Sequence, residues 1–178
     1  MGFNFVLSQV FGIIALIIVC ISYSFNNKRL FLFYQILANI FYSASFLSLS
    51  VFVGGANTII STIRVIVLYF YEKKDKKSPL WLYFLFFSLY LASGIILYQK
   101  PLDIIAIVSY EIFNTAMFIR NINLTRLVMI PPNIMIVFYN ILNFTYTNAI
   151  LDSVEIVVLC VAVIKFNIIE KRKIKYLI

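Results

Sequence analysis

Seven apolar runs, each close to the length that crosses a bilayer, follow one another with few breaks longer than six residues. A membrane helix needs about 20 predominantly apolar residues. The runs fall approximately at Phe3–Phe25, Leu30–Ser50, Gly55–Tyr71, Leu80–Tyr98, Leu102–Ile119, Leu127–Tyr146 and Ile150–Ile168. Of the 178 residues 63% are hydrophobic and 12% charged, against roughly 45–50% and about 25% in a soluble domain. Mean hydropathy is +0.99. That excess does not fit one water-soluble core, because about half of a small domain's residues must face water. A soluble enzyme or nucleic-acid-binding domain is excluded, and the lipid bilayer becomes the expected solvent. The expected fold is an all-α, polytopic membrane protein of seven helices with no room for an extramembranous domain. The first run lacks a basic leader and a small-residue cleavage site, so it reads as a retained helix rather than a secretory signal.

Several chemistries drop out on residue counts. There is no His, which removes His-based acid–base catalysis, Ser-His and Cys-His nucleophile pairs and the usual intramembrane zinc sites. Cys20 and Cys160 each lie inside an apolar run and read as packed thiols rather than a disulfide. No nucleotide-binding motif occurs. The chain is therefore expected not to be an enzyme, and to use no cofactor or metal.

Charge placement sets an orientation. Lys28 and Arg29 lie between runs one and two, and Glu72, Lys73, Lys74, Asp75, Lys76 and Lys77 between three and four. Arg120 and Arg126 separate five from six, while Lys165, Lys171, Arg172, Lys173 and Lys175 close the chain. The alternate loops carry only Lys100. Thirteen of the 15 basic residues thus share one side, and the positive-inside rule places the N-terminus outside and the C-terminus in the cytoplasm. Topology is also the simplest reading of the basic clusters.

The same charge order divides the chain into 1–77, a linker helix within 78–99, and 100–178. Each flanking unit reads helix, basic loop, helix, bare loop, helix, basic end. A shift of 97 positions places Arg29 on Arg126, Phe41-Tyr42 on Phe138-Tyr139, Ile59 on Ile156 and Lys74 on Lys171. Both units begin outside, so they are expected to be parallel three-helix repeats (3+1+3), a transporter plan that SWEET proteins use. The fourth run holds only Ser88 and Ser93 among many aromatics and reads as a spacer.

The other runs carry polar side chains at helical spacing. Gln35, Asn39 and Tyr42 are separated by four and three, as are Asn57, Ser61 and Arg64. Glu111 and Asn114 follow in run five, with Thr115 beside them, then Asn133, Asn140 and Asn143 in run six. Run seven opens with Asp152, expected at the interface, and Glu155, a better candidate to line a vestibule or accept a proton. An ionised group at a helix centre costs about 2.5–3.5 kcal/mol on insertion scales. Arg64 and Glu111 match in depth, and the simplest account is a mutual ion pair facing the bundle interior, with Glu155 as the alternative acid. A purely structural pair is the other reading. Pro131-Pro132 either bends or breaks the sixth helix, making it a hinge candidate, or marks its first turn.

These residues resemble the YgjV family of small bacterial inner-membrane proteins. The likeness runs from Gln9 and Gly12, through Lys28-Arg29 and Gln35, to the stretch Phe46–Ser50, Gly55-Ala56 and Ile63-Arg64, and on to Tyr139-Asn140 and Glu155. It implies the fold of the wider SWEET and PQ-loop group, although no Pro-Gln dipeptide occurs in runs one and five. SWEET-like sugar sites use an Asn on the third helix of each repeat. Asn57 is similar, but its mate here is Val154, so a two-Asn sugar clamp is not implied.

The leading expectation is a small-solute transporter or facilitator with alternating access, its path lined by Gln35, Asn39, Tyr42, Asn57, Ser61, Arg64, Glu111, Asn114, Asn140 and Glu155. The solute would be small and polar or anionic. The alternative is a scaffold or subunit whose polar helix faces bind a partner membrane protein. No strong small-xxx-small motif stands out, which leaves homo-oligomerisation open.

Overall fold

The computed structural model describes residues 3–48, 52–98, 100–142 and 146–169, and over these it contains seven α-helices and no strand. The helices are α1 (Phe3–Tyr23), α2 (Lys28–Ser48), α3 (Phe52–Lys73), α4 (Leu80–Ile96), α5 (Asp103–Phe118), α6 (Ile122–Leu142) and α7 (Tyr146–Val163). A π-helical stretch, Ile164–Ile169, continues α7. Number and order match the apolar runs. Asn143 and the basic tail residues Lys171, Arg172, Lys173 and Lys175 lie outside the described residues.

The largest departure is α6, which starts at Ile122 rather than Leu127. Thr125 and Arg126 are fully buried within it, so a polar stretch expected as loop is helix. Asn121 caps it, its Oδ1 accepting from the backbone N–H groups of Asn123 (3.0 Å) and Leu124 (3.3 Å). Asn27 caps α2 in the same way, accepting from the Arg29 N–H at 2.9 Å. The proline pair corrects a second expectation. Nine residues of α6 precede Pro131 and the helix runs on to Leu142, so the prolines neither mark a first turn nor break the helix. They leave the Leu127 and Val128 carbonyls without their usual donors. The Asn133 side chain donates back to the Met129 carbonyl at 2.9 Å and braces that turn.

Each helix packs on its chain neighbours, and α7 returns to α1. Thus α2 lies between α1 and α3, and α6 between α5 and α7. Cross-helix bonds show neighbours running antiparallel: Ser8 near the start of α1 meets Ser45 near the end of α2 at 2.9 Å, and Tyr139 late in α6 donates to Asp103 at the head of α5 at 3.1 Å.

The polarity is inverted relative to a soluble protein. Val6, Val10, Ile13, Ile17 and Ile21 form an exposed apolar stripe along α1, whereas Gln35, Arg64, Asn114, Arg126 and Asn133 are buried. By length and composition alone, Phe5–Tyr23 and Ile122–Leu142 can cross a membrane, and α4 is apolar but shorter at 17 residues.

Helix α4 is more than a spacer. Leu82, Phe86 and Tyr90, four residues apart, are buried against the bundle, while Trp81, Phe84, Leu85 and Ile95 face outward. Its close approach to α5 depends on Gly94, where an added Cβ would stand 2.7 Å from Ile107 Cγ1. Overpacking of this kind typically costs about 1–3 kcal/mol. Gly94→Ala should therefore lower the melting temperature of detergent-purified protein. Gly12→Ala should not, since its Cβ would meet Ser45 Oγ at an ordinary 3.6 Å. Comparative thermal unfolding of the two variants checks this.

Candidate functional site

The three basic loops converge on one end of the bundle. Arg29, at the head of α2, reaches across to Asp75 in the α3–α4 loop at 2.6 Å, and Arg120, between α5 and α6, lies 3.8 Å from both Glu72 and Asp75. Asp75 takes a left-handed backbone (φ 52°). It follows the last turn of α3, where the Lys76 N–H closes back onto the Tyr71 carbonyl at 3.0 Å. The hydrogen bond from Arg29 holds the Asp75 carboxyl below its usual range. A depressed acid contributes above its ordinary pKa and loses that contribution as pH falls through the lowered value. Both partners are exposed, so water and salt screen the pair. Asp75→Asn should leave the neutral-pH melting temperature unchanged within scatter, as thermal unfolding will show.

Two further cations at this end turn inward. Lys28 is buried and donates to Thr125 Oγ1 at 3.0 Å. Arg126 is fully buried, donating to Asn123 Oδ1 at 2.8 Å and to the Phe25 carbonyl, with its guanidinium over the Phe166 ring at 4.4 Å.

Farther into the bundle, α3, α4 and α5 enclose Arg64, only 3% exposed. Its Nη1 donates to Asn114 Oδ1 at 3.2 Å, and its guanidinium lies 5.2 Å from the centre of the Tyr90 ring. The expected direct ion pair with Glu111 is not formed. Glu111 sits one turn before Asn114, within electrostatic reach of Arg64. Both its oxygens are buried without a partner at hydrogen-bonding geometry, as are Arg64 Nε and Asn114 Nδ2, although Glu111 and the Asn114 amide lie within electrostatic reach of each other. Leaving a buried polar atom unmatched costs about 1–3 kcal/mol, so these three residues hold a concentrated polar demand. Tyr90 also bonds Ser61 at 2.6 Å, and Ser93 donates to Asn57 Oδ1. The stripe Asn57, Ser61, Arg64 is therefore one face, as its spacing predicts, with partners on α4 and α5.

A second polar group joins α1, α2, α6 and α7. Tyr23 donates to Glu155 Oε1 at 2.5 Å, Asn140 donates to Asp152 at 2.6 Å, and Gln35 donates to Ser22 at 3.0 Å. Tyr42 lies within electrostatic reach of both acids. Asp152 is half-buried and bonded rather than fully solvated as expected. Asn39 is half-buried. Tyr110 connects the two groups: it stacks parallel to Tyr90 at 6.2 Å and lies within electrostatic reach of Asp152. Sequence reasoning missed Tyr23, Tyr90, Ser93 and Tyr110. For Tyr90 and Ser93 a signal existed, since Leu82, Phe86, Tyr90 and Ser93 repeat at four, four and three.

Two cavities stand out, and both lie at the basic end rather than around Arg64. One of about 180 Å³ is lined by Lys28, Glu72, Lys76, Lys77 and Arg120 over an apolar floor that includes Leu68 and Met117. The other, about 300 Å³, is an open apolar cleft between α4 and α5 at Leu80, Tyr83 and Phe118. Among the described residues no group of His, Cys, Asp and Glu could hold a metal ion.

No curated protein and no solved structure matches the chain. A family described as Imp-YgjV, bacterial inner membrane protein, matches residues 6–169. With an apolar exterior, a buried polar seam and a match over nearly its whole length, the chain belongs to the Imp-YgjV family of bacterial inner membrane proteins.

Proposed function

We propose that this protein is a small-solute transporter or facilitator of the inner membrane, with its N-terminus outside and its C-terminus in the cytoplasm. Two parallel three-helix units, 1–77 and 100–178, rock against each other around α4, with Pro131-Pro132 as a hinge within α6. The observation that carries this reading is the Arg64–Asn114–Glu111 cluster, whose four unmatched polar atoms lie inside an apolar shell. Buried side-chain polar atoms are mostly hydrogen-bonded, and among the described residues the other unmatched one is Arg126 Nε, alone at its site. A solute with anionic or hydroxyl groups could supply partners to Arg64 Nε and Asn114 Nδ2 together.

The repeat reading draws support from two contacts. Lys28 and Thr125 are 97 positions apart and bond each other; residues related by a two-fold axis touch only where the axis passes between them. Arg29 and Arg126 are also 97 apart; Arg126 lies over the Phe166 ring, and Tyr69, at the same spacing, is within electrostatic reach of Arg29. These contacts suit the SWEET-like plan that the family resemblance implies. A scaffold binding partners through polar helix faces would turn those faces outward, whereas here the buried polar groups turn inward.

Driving force would come from the solute gradient or a coupled ion, with Glu155 and its Tyr23 partner as the place for a proton. The test is a thermal-shift screen of detergent-purified protein against sugars, nucleosides, vitamins and organic acids, followed by flux in proteoliposomes. One class should stabilise the wild type and not Arg64→Met. Absence of stabilisation and of flux across all classes would contradict the proposal.

A further inference from the structure

The cation-lined cavity at the basic end is built differently from a topology signal. A positive-inside loop needs only exposed charge, and Arg29 meets that description, solvent-facing and neutralised by Asp75. Lys28, the preceding residue, does the opposite. It is 8% exposed, lines the cavity, and has one hydrogen bond, to a neutral hydroxyl, with no carboxylate within 4.0 Å among the described residues. An ammonium carries three donors. With Thr125 as its hydrogen-bond partner, the Phe31 ring 5.0 Å from Nζ and Glu72 within electrostatic reach but not in contact, it keeps donors to spare. Lys76, Lys77 and Arg120 border the same space, against Glu72 as the one acid in the lining.

Size restricts the occupant. Pockets for drug-sized ligands run roughly 300–1,000 Å³; about 180 Å³ suits a single compact anion rather than a whole nucleotide or sugar. The apolar cleft between α4 and α5 adjoins it, sharing Ser78, Phe118 and Ile119 with the cavity lining. A compact anionic pocket opening beside an apolar groove is the shape of a phosphate group with room for a hydrocarbon tail.

We propose that this cavity binds a phosphate group, held by Lys28, Lys76, Lys77 and Arg120, either as free phosphate or as the headgroup of an anionic phospholipid whose acyl chain lies in the α4–α5 cleft. The assignment does not rest on the transport reading. Phosphate binding without solute flux keeps it and removes that reading; solute flux without phosphate binding does the reverse.

The experiment uses the full chain purified in detergent. One arm titrates inorganic phosphate at constant ionic strength, made up with chloride, and follows thermal stability. The second measures retention of phosphatidylglycerol against phosphatidylcholine by native mass spectrometry after delipidation. Saturable stabilisation by phosphate assigns the free anion, and selective retention of phosphatidylglycerol assigns the headgroup; either supports the site. Lys28→Met should weaken the positive arm about tenfold or more. Because Lys28 is buried, the exposed pair Lys76→Gln/Lys77→Gln serves as a second variant that leaves the fold intact and should also weaken binding. Lys74→Gln, exposed in the same loop and outside the cavity lining, should leave it unchanged. Failure of both probes to bind overturns the proposal. So does a Lys74→Gln loss equal to that of Lys76→Gln/Lys77→Gln, which would reduce the cavity to diffuse surface charge.

Discussion

Arg64→Met should abolish solute flux in proteoliposomes while folded protein stays near wild-type abundance. Arg64 is buried to 3% exposure with a single hydrogen bond, to Asn114, and no carboxylate within 4.0 Å among the described residues. Its charge meets only the Tyr90 ring at 5.2 Å and the Glu111 carboxylate beyond contact distance. Removing the guanidinium also removes a burial cost that these neighbours offset only in part, and Met fills irregular space readily. The loss falls on the solute, which forfeits the one cation facing the Tyr90–Asn114 wall. Flux should drop at least about a hundredfold, as expected when a buried charge-assisted contact is removed. Size-exclusion profiles should overlay. Disappearance of folded protein would instead assign Arg64 to packing.

Arg126→Met should do the reverse. This arginine is fully buried and ties three segments: the Phe25 carbonyl in the α1–α2 loop, Asn123 at the head of α6, and the Phe166 ring beyond α7. Hydrogen bonds to charged groups contribute about 1.5–3 kcal/mol each. Methionine supplies no donor to the Phe25 carbonyl or to Asn123. A loss of about 3 kcal/mol or more is expected, and at roughly 2–4 °C per kcal/mol for a chain of this size the melting temperature should fall by about 6–12 °C. Thermal unfolding in detergent measures it. A melting temperature within 2 °C of wild type, marking a change of at most about 1 kcal/mol, would contradict this tie.

The two arginines show what the sequence discloses and what it withholds. Hydropathy located all seven helices because burial in lipid demands long apolar runs, and the spacing of Asn57, Ser61 and Arg64 named a face that the structure keeps together. Partners were not legible. Depth matching brought α3 and α5 together correctly, yet the direct contact falls on Asn114, one turn past Glu111, because side-chain direction rather than depth decides which atoms meet. Tyr23, Tyr90 and Tyr110 sit in runs already crowded with aromatics, and nothing local separates a hydrogen-bonding tyrosine from a packing one. Arg126 looked like loop charge; only the assembled end of the bundle shows it buried. The prolines within α6 were ambiguous because a helix start and a braced mid-helix turn both accommodate them.

The central claim is that hydrophilic helix faces meet inside the bundle and are reached by water, while the outer faces meet lipid. Substituted-cysteine accessibility tests it on α3 and α5. With Cys20 and Cys160 replaced by Ala, cysteines at Ser61 and Asn114 should react with a membrane-impermeant thiol reagent during turnover. Cysteines at Ile59 and Ile63, 45% and 52% exposed on the outer face, should stay unlabelled in intact membranes. Labelling of Ile59 and Ile63 with protection of Ser61 and Asn114 would contradict the account.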